Sequence, residues 1–422
     1  MLPKLPLILL AAISLAAGST AIAAPHAGPL AYRNLFADDL GKTRAETDAK
    51  IEQAWQHFFY GNDETQRVYY PVGGDEAYIF DVGNGDVRTE GMSYGLMIAV
   101  QLDHRAEFDR LWTWAKNHMY HADGPRHGYF AWHCTRDGTP LDPGSASDGE
   151  EWFAMALLFA SHRWGDAPGA GRGEAGPGSP TPAAAKTAPI NYGAEAQALL
   201  HAMLDDKRGG DVTAIFSRRQ KQVVFAPTRD GSLFTDPSYH LPAFYELWAQ
   251  WAADKKDRAF WSAVADTSRG FFRSAARTRT GLMPDYANFD GSPRPGDKGD
   301  FRFDAWRTLA NVAQDYAWFA IDPWQRLQSQ RVVAFLASQG PACPNQFSLD
   351  GKPLSTDTSI GLLAMAAVAG LVSEPGAARP FVQRLWDAPP PEGQWRYYDG
   401  MLYFLGLLQA GGRFQIYGPT TR

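Results

Sequence analysis

Five short stretches of the chain place an acidic residue at the opening of an apolar run: Thr89-Glu90-Gly91, Ser147-Asp148-Gly149, Asp236-Pro237-Ser238, Phe303-Asp304-Ala305 and Thr356-Asp357-Thr358. Two carboxyl groups set across one groove can hydrolyse a glycosidic bond. One, protonated, assists the departing oxygen; the other, ionised, activates water or attacks the sugar. Side-chain capping is the competing explanation. Asp and Ser oxygens accept the free N–H groups of a helix's first turn. Asp148 with Glu151 has capping-box spacing, and Asp236 stands before a proline suited to the first helical position. Asp357 also suits a cap. Glu90 is a poor cap beside the better Thr89, and Asp304 can cap or pair with Arg307 one turn on. These two are the stronger candidates for chemistry. A helix N-terminus lowers a carboxyl pKa, which suits Asp304 as base. The acid must be pushed the other way by burial or a neighbouring charge, and Asp148 could supply that charge for Glu90.

These residues share a face only if the elements behind them run in one direction. Apolar spacing and breakers predict twelve helical segments, at about 43–60, 91–103, 105–120, 148–163, 192–205, 238–253, 257–276, 303–319, 322–339, 356–371, 377–387 and 396–410. Segments two, four and ten are apolar nearly all round (Met92 to Val100, Trp152 to Ala160, Ile360 to Ala369), as buried helices are. Segments three and seven carry a charged face. Alternating outer and inner helices predict an all-α toroid of six inner helices ringed by six outer ones, with the inner N-termini on one rim. Strand-like alternation is confined to pieces such as Gln222 to Phe225. Asp166 to Pro189, dense in Gly, Pro and Ala, reads as a flexible surface insertion.

The chain has 422 residues and a formal net charge of -6, with no basic stripe. Nucleic acid and anionic membranes are therefore poor partners. Lys4, the apolar run Leu5 to Ala17 and Ala21-Ile22-Ala23 have the form of an export signal over residues 1–24, which places the mature protein in the periplasm or outside the cell. Residues 25–422 then form one domain. Cys134 and Cys343 are too few for a disulfide framework and read as separate buried thiols. The 14 Trp and 17 Tyr residues mostly furnish a core. Tyr129 and Trp132, in the polar loop His127-Gly128-Tyr129-Phe130-Ala131-Trp132-His133, fit sugar stacking better. Trp132 is equally a loop anchor. No nucleophile elbow, phosphate loop or zinc motif is present, so neither metal nor cofactor is expected.

Thr89 to Met97, Ser147-Asp148-Gly149-Glu150-Glu151-Trp152-Phe153, Arg302-Phe303-Asp304-Ala305-Trp306-Arg307 and Arg396-Tyr397-Tyr398-Asp399 resemble, in order, four blocks of glycoside hydrolase family eight. The resemblance extends from about residue 43 to 410 and implies an (α/α)6 barrel with an inverting, metal-free mechanism. It matches Glu90 to the general acid, Asp304 to the general base and Asp148 to a carboxylate that positions the distorted sugar. Arg307 matches a residue beside the base, and Tyr94, Trp132 and Tyr398 match cleft aromatics. Tyr239 and Phe303, at the openings of segments six and eight, join them as candidate substrate contacts. The Phe-Asp-Ala-Trp-Arg and Gly-Tyr-Phe-Ala-Trp blocks look most like the xylan-active branch, so the expected partner of the monomer is a β-1,4-linked xylo-oligosaccharide or xylan. That branch includes enzymes that release xylose from the reducing end. Exo-acting members carry a His-Pro pair just before the tenth helix, where Ser355-Thr356-Asp357-Thr358-Ser359 stands here. This departure favours an open cleft and endo cleavage. An endoglucanase, a polysaccharide lyase with a Tyr or His base and a non-catalytic glycan-binding protein are the other readings.

Overall fold

Helices that are apolar all round must be covered on all sides, and the chain achieves this by closing them into a ring. The computed structural model describes residues 32–166 and 189–419. The expected export segment lies outside them, as does the insertion except for its two ends. In chain order the first elements are α1 (Leu35–Leu40), α2 (Arg44–Tyr60), β1 (Tyr69–Val72), β2 (Glu76–Ile79), β3 (Val87–Arg88), α3 (Thr89–Leu102) and α4 (Arg105–His118). There follow β4 (His133–Cys134), β5 (Pro140–Asp142), α5 (Ser147–Trp164), α6 (Tyr192–Leu204), β6 (Phe216–Ser217), β7 (Gln222–Val223), α7 (Pro242–Trp251) and α8 (Lys255–Ala275). The chain finishes with α9 (Arg307–Phe319), α10 (Trp324–Ser338), α11 (Ile360–Val368), α12 (Arg379–Asp387) and α13 (Arg396–Ala410).

The odd-numbered helices from α3 to α13 form the inner ring. Helix α3 packs on α5, α7 on α9, α9 on α11, α11 on α13, and α13 returns to α3. The α5–α7 joint is made by Trp152 meeting Phe244 edge-on at 5.0 Å and by Tyr245 bonding Glu151 at 2.5 Å. Each outer helix lies against an inner one: α4 on α3, α6 on α5, α8 on α7, α10 on α9, α12 on α11 and α2 on α13. This is the expected (α/α)6 barrel. Sequence accounts for the layers. Every residue of α5 from Ser147 to Ala160 is buried, whereas α8 buries only a stripe (Trp261, Val264, Ala265, Ser268, Arg269, Phe271, Phe272, Ala275) at helical spacing. Where α13 crosses α11, Gly406 permits close contact; a Cβ there would stand 2.8 Å from that of Ala364.

Several boundaries differ from expectation for local reasons. Segment six opens as a single 3-10 turn, Pro237–Tyr239, before α7 begins at Pro242. Proline lacks an N–H and pushes the residue before it out of helical geometry, so the two pieces cannot fuse. Segment eight likewise opens with the turn Asp304–Trp306. Helix α11 starts at Ile360 because the Ser359 hydroxyl accepts from Leu362 N at 3.0 Å, which leaves Asp357 in the preceding loop rather than at the cap. Helix α1, capped by Asn34 and ended by Gly41 at φ 72°, is too short to display a period and was not expected. The strands make two hairpins, β1–β2 and β6–β7, and a three-stranded antiparallel sheet β3–β4–β5. That sheet sits where β3 runs straight into α3 and β5 leads to α5.

Candidate active site

The rim expected from the parallel inner helices is present. Two neighbouring cavities on it have volumes of about 1030 and 560 Å³. Their walls draw on the openings of all six inner helices: Glu90, Asp148, Tyr239, Asp304, Ser359 and Tyr397 each come from a different one. Both cavities are lined by Arg88, Glu90 and Asp304, so the two carboxyl groups stand where the halves of one groove meet. Register explains part of this. Arg88 pairs with His133 in the sheet, and Thr89 N donates to Trp132 O at 3.0 Å, which fixes Glu90 two residues beyond the last strand pair.

Arg307, on the first turn of α9, ties the carboxyl groups together. Its Nη1 donates to Glu90 Oε2 at 3.0 Å, to Asp148 Oδ2 at 3.1 Å and to the Tyr94 hydroxyl at 2.8 Å. Its Nη2 donates to Asp304 Oδ1 at 3.0 Å and to Ser238 Oγ at 2.8 Å. The guanidinium is planar and rigid, so these two contacts hold the bonded Glu90 and Asp304 oxygens within about 8 Å of each other. Inverting glycosidases separate their carboxyl groups by about 6.5–9.5 Å to admit water beside the sugar, a range this bound overlaps. The Tyr397 hydroxyl donates to Glu90 Oε1 at 3.1 Å. Asp285 accepts from Asp304 N at 3.0 Å and Ala305 N at 3.2 Å and so caps the turn that carries Asp304.

Burial sets the electrostatics. It pushes the Glu90 carboxyl up to about 7; Arg307 opposes this, and the Asp148 and Asp304 charges add to it. Asp148 is raised to about 6 by burial, with Arg307 again opposing and Asp304 reinforcing. Asp285 rises to about 6 by burial and then by the Asp304 charge. Asp236, fully buried, is raised well above the carboxylate range by burial and then by Asp304. Glu90 is thus a carboxyl that still holds its proton near neutrality. Asp304 retains 26% of its side-chain accessibility, against 18% for Glu90 and 5% for Asp148, and is the member most open to water.

The structure distributes the sequence candidates unevenly. Glu90, Asp148, Asp304, Arg307, Trp132, Tyr239, Phe303 and Tyr398 all line the groove. Tyr94 does not; its ring is 1% exposed, and it lies under the site as a partner of Arg307, on a helix that is buried all round. Tyr129 is core rather than groove, fully buried with Arg208 over its ring. Trp132 is both anchored and exposed to the groove: His133 stacks on it at 3.7 Å, and it forms part of the smaller cavity's wall. The capping alternatives divide. Asp236 does cap its turn, accepting from Ser238 N at 2.7 Å. Asp148 is not the N-cap, since Ala146 holds that position before α5 and Glu151 is held by Tyr245 instead. Thr89 is not a cap either; it is the first residue of α3, preceded by Arg88.

Sequence reasoning missed Arg88, Asp285, Tyr286 and Trp395. Arg88, adjacent to Thr89-Glu90, had a local signal in its position. Asp285 had none, since it caps a turn 19 residues later. Cys134 and Cys343 are buried free thiols. Among the described residues, no cluster of His, Cys, Asp and Glu side chains is arranged to hold a metal ion.

A helical barrel with paired carboxyl groups at the centre of an aromatic-lined groove defines a glycoside hydrolase. Comparison with known proteins agrees. The model for glycosyl hydrolases family 8 matches residues 74–175 and 222–412, and the chain belongs to that family. It is 44% identical over 392 residues to a reducing-end xylose-releasing exo-oligoxylanase of Paenibacillus barcinonensis, covering 92% of this chain and 97% of the other. The xylose complex of that protein superposes with a TM-score of 0.83, covering 92% of this chain and 98% of the relative at 43% identity. A reducing end xylose-releasing exo-oligoxylanase of Halalkalibacterium halodurans is 40% identical, with 92% and 95% covered. A catalytic mutant of a xylanase from Teredinibacter turnerae, in complex with xylohexaose, superposes with a TM-score of 0.85 at 41% identity, with 92% and 98% covered.

Proposed function

We propose that the groove hydrolyses β-1,4-linked xylo-oligosaccharides with inversion and releases xylose from the reducing end, as the named activity of two of these relatives suggests. The observation that carries the chemistry is the Glu90–Asp304 pair, linked through Arg307 at the junction of the two cavities, with the Glu90 carboxyl held up at about 7. Asp304, reachable by water, removes a proton from the attacking molecule as its oxygen bonds the anomeric carbon. Glu90 gives its proton to the departing glycosidic oxygen. The hydroxyl of the new reducing end takes the face opposite the broken bond. The two protons then re-equilibrate through solvent. Asp148, pinned by Arg307, holds the sugar beside the cleaved bond in its distorted form.

Endo cleavage is a second reading, favoured by one feature. The segment Ser355-Thr356-Asp357-Thr358-Ser359 lacks a His-Pro pair, and Asp357, Thr358 and Ser359 line the larger cavity. A time course on reduced and unreduced xylo-oligosaccharides, with cellohexaose as control, separates the two. Early release of xylose alone, only from unreduced chains, supports exo action; mixed oligomers support endo action. Nuclear magnetic resonance of the shortened oligosaccharide in the first turnovers reads the anomer of its new reducing end, and a β-anomer there would overturn inversion. The Lys4 to Ala24 segment supports export as the enzyme's route to its substrate, which N-terminal sequencing of the mature protein from the producing cell tests.

A further inference from the structure

Three acidic side chains stand within four residues at the opening of α5, and each goes a different way. Asp148 lines the groove and meets Arg307. Glu151 meets the Tyr245 hydroxyl of α7. Glu150 is fully buried: its Oε1 accepts from Phe130 N at 3.0 Å, and its Oε2 has no hydrogen-bond partner. Burial pushes its carboxyl up to about 8. Sealing an acid with one oxygen unpaired costs stability. An apolar side chain of the same length would avoid that cost, so the use of Glu150 lies in what its one bond holds. It holds the strip that builds a wall of the smaller cavity. Ser145 Oγ donates to Phe130 O at 2.8 Å, so both polar groups of the Phe130 backbone end on side chains that flank Asp148. The Phe130 ring packs on Phe153 of α5 at 4.9 Å and on Trp112 of α4 at 5.7 Å. Ala131 N then donates to Met119 O at 2.8 Å. Trp132 follows, its N donating to Gly144 O at 2.8 Å and its O accepting from Thr89 N at 3.0 Å. The strip is therefore pinned at one end by Glu150 and delivers the Trp132 ring to the cavity at the other.

We propose that Glu150 is a positioning residue: its bond to Phe130 N fixes the Phe130–Trp132 strip and thereby the Trp132 wall of the smaller cavity. It touches no substrate, since it is sealed and lines neither cavity. The consequence for turnover rests on the substrate reading above; the placing of Trp132 does not.

The test compares Glu150→Met, which keeps the length and loses the acceptor, with Glu150→Gln, which keeps the acceptor without a charge. Circular dichroism and melting temperature serve as fold controls. In protein carrying 5-fluorotryptophan, with Trp132→Phe to assign the resonance, the fluorine signal of Trp132 moves in Glu150→Met and returns toward its native position in Glu150→Gln. KM for xylohexaose rises roughly three- to tenfold in Glu150→Met while kcat is nearly kept, and Glu150→Gln restores most of the loss. Added to Trp132→Ala, Glu150→Met raises KM no further, because the residue it acts through is already gone. Ser145→Ala frees the carbonyl of the same Phe130 and moves the same signal, which keeps the proposal testable should Glu150→Met not fold. An unmoved Trp132 signal in folded Glu150→Met, or in Ser145→Ala where the former does not fold, overturns the proposal, and so do KM effects that add in the double variant. Native protein that leaves xylohexaose intact overturns the substrate reading, while the fluorine signal still decides what Glu150 holds.

Discussion

Glu90→Gln separates the proton donor from everything else the site does. Glutamine keeps the side chain's length and can still accept from Arg307, so the groove retains its shape; what it lacks is a transferable proton. With its carboxyl at about 7, the native acid is about 90% protonated at pH 6, whereas a glutamic acid at its ordinary 4.5 would be about 3% protonated. Burial and the flanking carboxylates therefore supply about thirtyfold more competent acid at that pH. General acid catalysis contributes about 10²–10⁴ in rate, or about 3–5 kcal/mol of barrier, and Glu90→Gln should forfeit that on xylo-oligosaccharides. The alkaline limb of kcat/KM, expected near pH 7, should vanish with it. A xylobiosyl fluoride is the discriminating substrate, since fluoride departs with little need for a proton. On that substrate Glu90→Gln should retain rates within about tenfold of native, while Asp304→Asn, which removes the base, should fail on both. Asp148→Asn gives a companion shift: losing a charge that raises Glu90 should move the alkaline limb to lower pH. An equal loss on fluoride and oligosaccharide in the folded Glu90→Gln protein, or an alkaline limb that persists there, would refute the assignment.

Three further outcomes follow from the same contacts. Asp285→Ala removes the acceptor for two backbone N–H groups at the Asp304 turn and should lower kcat by about tenfold or more with little change in KM; unchanged kcat in the folded variant would show that the turn holds itself. Glu150, fully buried, is pushed by burial up to about 8 from 4.5. The folded state thus keeps a proton that the unfolded chain gives up above about pH 4.5, and this contribution to stability, complete below that pH, declines by roughly 1.4 kcal/mol per unit until about pH 8. Urea midpoints at pH 5, 6.5 and 8 should fall less steeply in Glu150→Gln than in the native protein, and parallel declines would exclude this group. Prolonged dialysis against a chelator should leave turnover unchanged; activity lost and regained with a divalent ion would contradict a mechanism run by two carboxyl groups and water.

What was legible in the sequence follows the range of the interactions. Helices betray themselves through periodicity, and the inner ones through the absence of a polar face, so the layers and the common rim could be read from Met92 to Val100, Trp152 to Ala160 and Ile360 to Ala369. Glu90 and Asp304 could be distinguished because neither residue's surroundings made capping its best use. The supports were hidden because they are non-local. Asp285 sits in an aperiodic loop and serves a turn 19 residues away. Tyr94 had the residue type of a cleft aromatic, but only the rotation of α3 within the ring shows that it faces Arg307 from below. Trp395 stands in the turn before α13, and only the closed fold shows that it lines the larger cavity. The 3-10 turns at Pro237 and Asp304 had a partial signal, proline in one case and none in the other.

Arg307 explains how one cluster can furnish both an acid and a base. A single positive charge touches Glu90, Asp148 and Asp304, and Asp236 and Asp285 stand close enough for the Asp304 charge to raise both. Four carboxylates around one guanidinium, with Asp285 paired to Lys298 beside them, cannot all ionise in a buried setting, since each added charge is resisted by those present. Protons must remain, and they remain where burial outweighs the pull of Arg307. Asp236 is sealed from the groove, and burial and then the Asp304 charge raise its carboxyl well above the usual range. Glu90 combines reluctance to ionise with a place on the groove wall, which is what a proton donor requires. Asp304 shares the arginine but has the widest opening to solvent of the three bonded carboxyl groups, which is what an activator of water requires. The difference between the two roles thus lies in depth along one rim, set by where β3 delivers Glu90 and where the Asp285-capped turn delivers Asp304.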